Sequence, residues 1–197
     1  GSANVLEKLG VNINMKPKLA QKALQQINIC FLMAPLYHKA MHYVATARQK
    51  INERTIFNIL GPLLNPAEVR HQLIGVFDKV LMEKYAVILQ QLSVKAWVVH
   101  SRDGLDEISI ADQTDVIAID KNGIREFSVS PEDFGLDVAD LAEVKGGDAD
   151  YNAAALIVAN KATDYKEAAD IAADAIDEGS ALQALNNLIN MSNGISC

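Results

Sequence analysis

An α/β fold is what this sequence predicts, and three observations predict it. A compact, β-branched run, QLIGVF over 72–77, precedes an amphipathic stretch over 80–92 and a second apolar run, AWVV over 96–99. Strand, helix and strand in that order imply a right-handed parallel crossover. Two more strand-like runs, 115–119 and 124–129, flank Lys121-Asn122-Gly123, a turn signal that joins them as a hairpin. The expected sheet is therefore mixed, largely parallel, and flanked by helices.

The remaining elements are helical. Residues 3–9 form a short helix stopped by Gly10. Pro17 suits a first helical turn, and Ala20, Ala23, Leu24 and Ile27 recur at helical spacing behind it. Pro35 opens a further helix, expected to run to about Gln49. A helical turn over 55–60 is broken by Gly61-Pro62 and again by Asn65-Pro66. Two helices close the chain, over 152–160 and over 166–189, the latter interrupted at Gly179. Repeats and low-complexity tracts are absent from the sequence.

A chain of 197 residues, 50% of them apolar, can bury a sizeable core without disulfides. Its two cysteines, Cys30 and Cys197, stand far apart and form neither a disulfide framework nor a metal-ligand spacing, which fits a reducing cytoplasm. Apolar stretches are too short to span a bilayer, and no basic-then-apolar signal opens the sequence. A net charge of −7 argues against general nucleic-acid binding. The charge is uneven. Between 38 and 54, Lys39, Arg48, Lys50 and Arg54 face Glu53 alone, whereas thirteen acids between 132 and 178 face Lys145, Lys161 and Lys166. The cationic segment suits a small anionic ligand; a solvated helix face is the plainer reading.

Chemistry points first to Asp103-Gly104-Leu105-Asp106-Glu107, directly after the strand at 96–99. Ligands of open α/β sheets gather at the carboxyl ends of strands. Neighbouring carboxylates on a turn supply the hard oxygen donors that Mg²⁺ accepts alongside ligand phosphates. A solvated acidic turn is the alternative. A second candidate is Ala34-Pro35-Leu36-Tyr37-His38 with Arg48 beyond it. On one helix His38 and Arg48 would share a face roughly 15 Å apart, and an arginine fork grips a carboxylate at two points. A packed histidine with a surface arginine is the rival account. Gly146-Gly147-Asp148 is a glycine turn too short for a nucleotide loop, and Asp133-Phe134-Gly135 lacks every companion of the kinase motif it mimics. There is no nucleophile–base–acid set, metal-spaced Cys/His group or dinucleotide fingerprint.

In order along the chain, GSANVLEKLGVNI, FLMAPLYHKAM, VATARQKINERTIFNILGPLLNPA, QLIGVFD, VVHSRDGLDEIS, EDFGL and KGGDADYNA resemble the anthranilate phosphoribosyltransferases. RTIFNILGPLLNPA and DGLDEIS are the most specific of these segments. The resemblance implies a nucleoside phosphorylase/phosphoribosyltransferase-like fold, in which most of residues 1–197 form the large α/β domain and 48–66 make a helical excursion to a small helical domain. It implies transfer of the phosphoribosyl group of phosphoribosyl pyrophosphate to the amino group of anthranilate, with Mg²⁺, in tryptophan biosynthesis, by a cytoplasmic homodimer. Asp106 and Glu107 match the acidic pair that binds Mg²⁺ with the pyrophosphate. Arg48 matches an arginine that contacts anthranilate, Ser2 a serine near the phosphoribosyl pyrophosphate, and Pro35 and His38 the segment lining the anthranilate route.

Departures from the family pattern are also informative. The glycine-rich pyrophosphate loop, the lysine-histidine-glycine-asparagine segment and most of the small helical domain are not among these residues. Family sequence is also missing near Tyr151-Asn152, and Lys39 stands where proline is usual. These 197 residues by themselves are therefore expected not to turn over. Two rivals remain. A pyrimidine-nucleoside phosphorylase shares the fold, but Asp106-Glu107 and RTIFNILGPLLNPA weigh against it. A catalytically silent, nucleic-acid-binding relative would need a basic surface, which the net charge of −7 opposes.

Overall fold

The computed structural model describes residues 2–38, 57–140 and 161–195. They divide into two compact units, one of residues 1–66 with 176–197 and the other of residues 67–175.

The described elements of the first unit are helical. α1 (Ser2–Lys8) and α2 (Pro17–Ile27) are followed by two single-turn helices, α3 (Ala34–Tyr37) and α4 (Phe57–Leu60), and a 3₁₀ turn at Pro62–Leu64. Pro17 stands in the first turn of α2, where its missing N–H costs nothing, and Asn28 ends the helix in the left-handed region at φ 58°. Ala20 and Ala23 are fully buried against Val11, Met15, Leu188 and Met191. Hydrogen bonds tie distant sequence together here. The Asn12 N–H donates to Ser192 Oγ at 2.9 Å, and Asn193 Nδ2 donates to the Gly10 carbonyl at 2.9 Å.

The second unit holds a four-stranded sheet in the order β1 (His71–Gly75), β2 (Lys95–Ser101), β3 (Thr114–Asp120) and β4 (Gly123–Val129). β1 and β2 run parallel, joined through α5 (Val80–Gln91), as the strand–helix–strand pattern requires. β2–β3 and β3–β4 are antiparallel. The mixed α/β architecture is the expected one, but the balance is not largely parallel among the described strands. Parallel pairing needs a long crossover, and only β1–β2 has one; the two later connections are hairpin-like and return the chain antiparallel.

Both faces of β2 and β3 are covered, which explains their near-continuous apolar runs. Trp97, Val99, Val116 and Ala118 join Ile108, Val129 and Phe134 on one side, with Ala168 of α6 (Tyr165–Asp177). Trp97 meets Phe127 edge-on, at a centroid distance of 5.3 Å. α5 packs across β2 and β3, burying Leu81, Met82, Tyr85, Ala86 and Leu89. After α6 the chain turns at Gly179 (φ 77°) into α7 (Ser180–Ser192), the interruption expected within 166–189.

Candidate active-site loop

The Asp106-Glu107 pair lies in the loop 102–113 that connects β2 to β3, at the carboxyl ends of the parallel strands β1 and β2. That is where the sequence argument put it. Both residues are exposed. What the sequence does not announce is how tightly their backbone is held.

Five constraints hold it. At the base of the loop the Arg102 N–H donates to the Gln113 carbonyl, and the Ser101 N–H to that of Leu105, both at 3.0 Å. Gly104 takes a left-handed turn at φ 95°, with its N–H on the Ser101 carbonyl at 3.0 Å. Asp103 organises the interior: Oδ1 accepts the Leu105 N–H at 3.0 Å, and Oδ2 accepts a short hydrogen bond from Ser109 Oγ. Ser109, itself buried, accepts the Ala111 N–H at 2.9 Å through Oγ and donates its own N–H to Thr114 Oγ1 at 3.1 Å. Burial pushes the Asp103 carboxyl up, but hydrogen bonds from Ser109, Leu105 and Ser101, with the charge of His100, outweigh it and bring the group below its ordinary value.

The other two constraints bracket the acidic pair directly. Ile108, adjacent to Glu107, is 1% exposed and plugs into the core beside Val99 and Val116. On the far side, the Asp106 backbone runs hard against β1. A Cβ on Gly75 would stand 1.6 Å from the Asp106 carbonyl oxygen, so only glycine admits this approach. β1 and β2 are also tied at this end by the Val76 N–H on the Val99 carbonyl at 3.0 Å and by His100 Nδ1, which lies 2.8 Å from the Val76 carbonyl and so must donate.

Asp115 anchors the loop's entry. It accepts Lys79 Nζ at 2.6 Å, Arg102 Nη2 at 3.0 Å and Ser128 Oγ at 2.9 Å. Burial alone would raise this carboxyl, but the hydrogen bonds from Lys79, Arg102 and Ser128 and the Lys79 charge bring it to about 2. It is ionised at any physiological pH.

The donor set suits Mg²⁺. Two hard carboxylates on a held backbone form an incomplete shell, the kind that Mg²⁺ completes with water and phosphate oxygens. Among the described residues no group of three or more His, Cys, Asp or Glu could enclose a metal alone.

The other sequence-selected residues lie in the helical unit. Ser2 opens α1 and Pro35 stands in the first turn of α3. His38 follows as the capping residue, partly buried, with φ −108° and ψ 84°. The helix expected to run from Pro35 to Gln49 is broken at His38, whose φ and ψ leave helical geometry after Tyr37; the rest of that stretch lies outside the described residues. Arg48 lies outside the described residues, as do Gly146-Gly147-Asp148 and the expected helix over 152–160.

Sequence reasoning passed over Gly75, Ile108, the Asp103–Ser109 pair and Asp115. A glycine inside a β-branched run is a recognised mark of close backbone approach, and Asp-Gly of an Asx-type turn. The partnership with Ser109 and Thr114 carries no local signal.

Residues 1–157 match the model of a glycosyl transferase family, its a/b domain. The anthranilate phosphoribosyltransferase of Lacticaseibacillus paracasei is 43% identical over 216 residues, which takes in 98% of this chain and 63% of that protein. Among solved structures, the anthranilate phosphoribosyltransferase of Thermus thermophilus has a TM-score of 0.88 at 29% identity, over 98% of this chain and 64% of its own. That of Saccharomyces cerevisiae in complex with PRPP and Mg has a TM-score of 0.89 at 25% identity, over 99% and 63%. The chain thus spans somewhat less than two thirds of the length of these relatives. Its α/β fold is theirs, the nucleoside phosphorylase/phosphoribosyltransferase-like one.

Proposed function

The chain belongs to the glycosyl transferase family whose a/b domain it carries, and we propose that the protein transfers a phosphoribosyl group from phosphoribosyl pyrophosphate to the amino group of anthranilate, releasing pyrophosphate. One observation carries the reading. Asp106 and Glu107 are fixed side by side at the carboxyl ends of two parallel strands, in a chain whose structural neighbour binds PRPP and Mg.

Such a reaction expels a highly charged diphosphate and leaves positive character on the ribose carbon. Mg²⁺, where bound, supplies charge neutralisation of that leaving group. This chain's residues do the rest by position. Asp106 and Glu107 would hold the metal–diphosphate, and the Gly75 contact, Ile108 and the Asp103–Ser109 pair hold the backbone that carries them. No covalent nucleophile is needed. The aromatic amine of anthranilate is largely neutral near pH 7, so orientation should matter more than proton removal. In this reading Arg48 grips the anthranilate carboxylate by its planar fork, Pro35 and His38 line the route to it, and Ser2 lies near the phosphoribosyl group.

We extend the reading to a cytoplasmic homodimer. Among the described residues no helix is long and apolar enough to cross a membrane, and exposed Val5, Leu9 and Leu182 of the helical unit are apolar groups a second copy would cover. Residues 48–66 are read as an excursion to a small helical domain, supported by the helical turns at Phe57–Leu60 and Pro62–Leu64.

The test combines Asp106→Asn with Glu107→Gln. Mn²⁺ binding in the presence of phosphoribosyl pyrophosphate, followed by electron paramagnetic resonance, reports the site whether or not turnover is complete. We expect binding to weaken at least about a hundredfold, two charge-assisted ligands being lost. Unchanged Mn²⁺ affinity would sink the reading, as would undiminished consumption of anthranilate when both replacements are made in a full-length parent that turns over.

A further inference from the structure

A concave region of about 940 Å³ opens at the other end of the sheet from Asp106 and Glu107, where β1 and β2 begin and β3 ends. Arg70, His71, Lys95 and Lys121 line it, with Asp120 and Asn122. His71 and Lys95 are register partners across β1 and β2, so two basic side chains start neighbouring strands. Asp120 is its acid, and that carboxylate is already engaged: Oδ1 accepts the Asn122 N–H at 2.6 Å, and Oδ2 faces Arg125 at 3.8 Å. Among the described residues the Arg70 and Lys121 side chains form no ion pair. Two cations without an ion pair, Arg70 and Lys121, thus line one cleft with a further lysine and a histidine, in a protein whose net charge is −7.

The carbonyls at the end of α5 would oppose an anion, but they are taken up. Leu92 N–H bonds the Ile88 carbonyl, Ser93 N–H that of Gln90 and Val94 N–H that of Leu89, each at 3.0 Å. We propose that this cleft is a second anion site, separate from the acidic loop, which takes a small phosphorylated ligand. A single carboxylate would neutralise only one of the two unpaired cations, whereas a phosphate dianion meets both the Arg70 fork and the Lys121 charge. The volume is that of a small-molecule site. A nucleic acid would have to approach an acidic protein through one confined basic spot, which the long-range field disfavours.

The full chain, labelled with ¹⁵N and kept metal-free with EDTA at constant ionic strength, is titrated with inorganic phosphate. Saturable shifts are expected at the amides of Arg70, His71, Lys121, Asn122 and Gly123, with Gly104 to Glu107 unmoved. Arg70→Gln and Lys121→Gln, both on exposed side chains, should each weaken the apparent affinity about tenfold, the worth of one charge-assisted contact. Asp106→Asn should leave it unchanged, so this site and the proposed transferase site fail or stand independently. The proposal is overturned if sodium chloride reproduces the shifts, if both glutamine variants titrate like the parent, or if a short single-stranded RNA binds the cleft more tightly than phosphate.

Discussion

The carbonyl oxygen of Asp106 occupies the space that a side chain on Gly75 would need: an added Cβ would lie 1.6 Å from it and 2.7 Å from the carbonyl carbon. The obstructing atoms are backbone, so they cannot swing aside as the tip of a flexible side chain would. Gly75→Ala must therefore move either the end of β1 or the acidic loop. We expect a destabilisation of about 1–3 kcal/mol, as for other overpacked sites. The more telling result is functional: Mn²⁺ binding with phosphoribosyl pyrophosphate should weaken although no ligand residue has changed. Parental metal affinity in a folded Gly75→Ala protein would show that the contact does not position the pair.

Ile108 supports the same loop from the other side. Truncation to alanine removes a side chain that is 1% exposed, leaving a cavity beside Val99, Val116 and Val129. A cost of about 2–5 kcal/mol is expected from urea unfolding. Ile108→Val, which keeps the branch, should cost roughly 1 kcal/mol and spare metal binding. If valine and alanine variants unfold alike, Ile108 is not the packed anchor described.

These two residues show where the sequence was legible and where it was not. Strands, the β3–β4 hairpin, α2, α5 and the break at Gly179 all followed from local signals, because periodicity and turn chemistry act over a few residues. The acidic loop was legible too, since a strand's carboxyl end is a generic ligand position. The antiparallel β2–β3 pairing was not, because the loop 102–113 carries no short hairpin signature; its closure depends on Arg102 meeting Gln113 across it. Nor could spacing reveal that Gly75 touches Asp106. That contact joins the end of a strand to a distant loop through register, which is a tertiary property. The break at His38 was illegible as well: that residue leaves helical geometry at φ −108° and ψ 84°, and no glycine or proline marks the position.

Asp103 is the loop's internal brace, and its removal should be felt at a distance. Asp103→Ala strips the acceptor from the Leu105 N–H and from the buried Ser109 hydroxyl, for an expected loss of about 1.5–3 kcal/mol. Ser109→Ala removes one of those bonds and also the acceptor of the Ala111 N–H. Because the two share one network, the double variant should lose less than the sum of the singles, by roughly 0.5 kcal/mol or more. Strict additivity in a double-mutant cycle would dissolve the coupling.

Asp115 makes stability depend on acid. Its carboxyl sits at about 2 in the folded chain against an ordinary value of 3.8. The folded state therefore prefers the ionised form, and stability from this group is fully present above the unfolded value. It drains as pH falls from about 4 towards 2. The Asp115 side chain is 14% exposed, while its partners Lys79 and Arg102 are 69% and 50% exposed, so solvent screens the pair. A contribution of roughly 1–2 kcal/mol at neutral pH is the discounted expectation. Urea unfolding of the parent and of Asp115→Asn should differ by that amount at pH 7 and pH 5, with the gap closing by pH 2. A gap that persists undiminished at pH 2, or widens in acid, would mean that Asp115 contributes through shape and not through its charge.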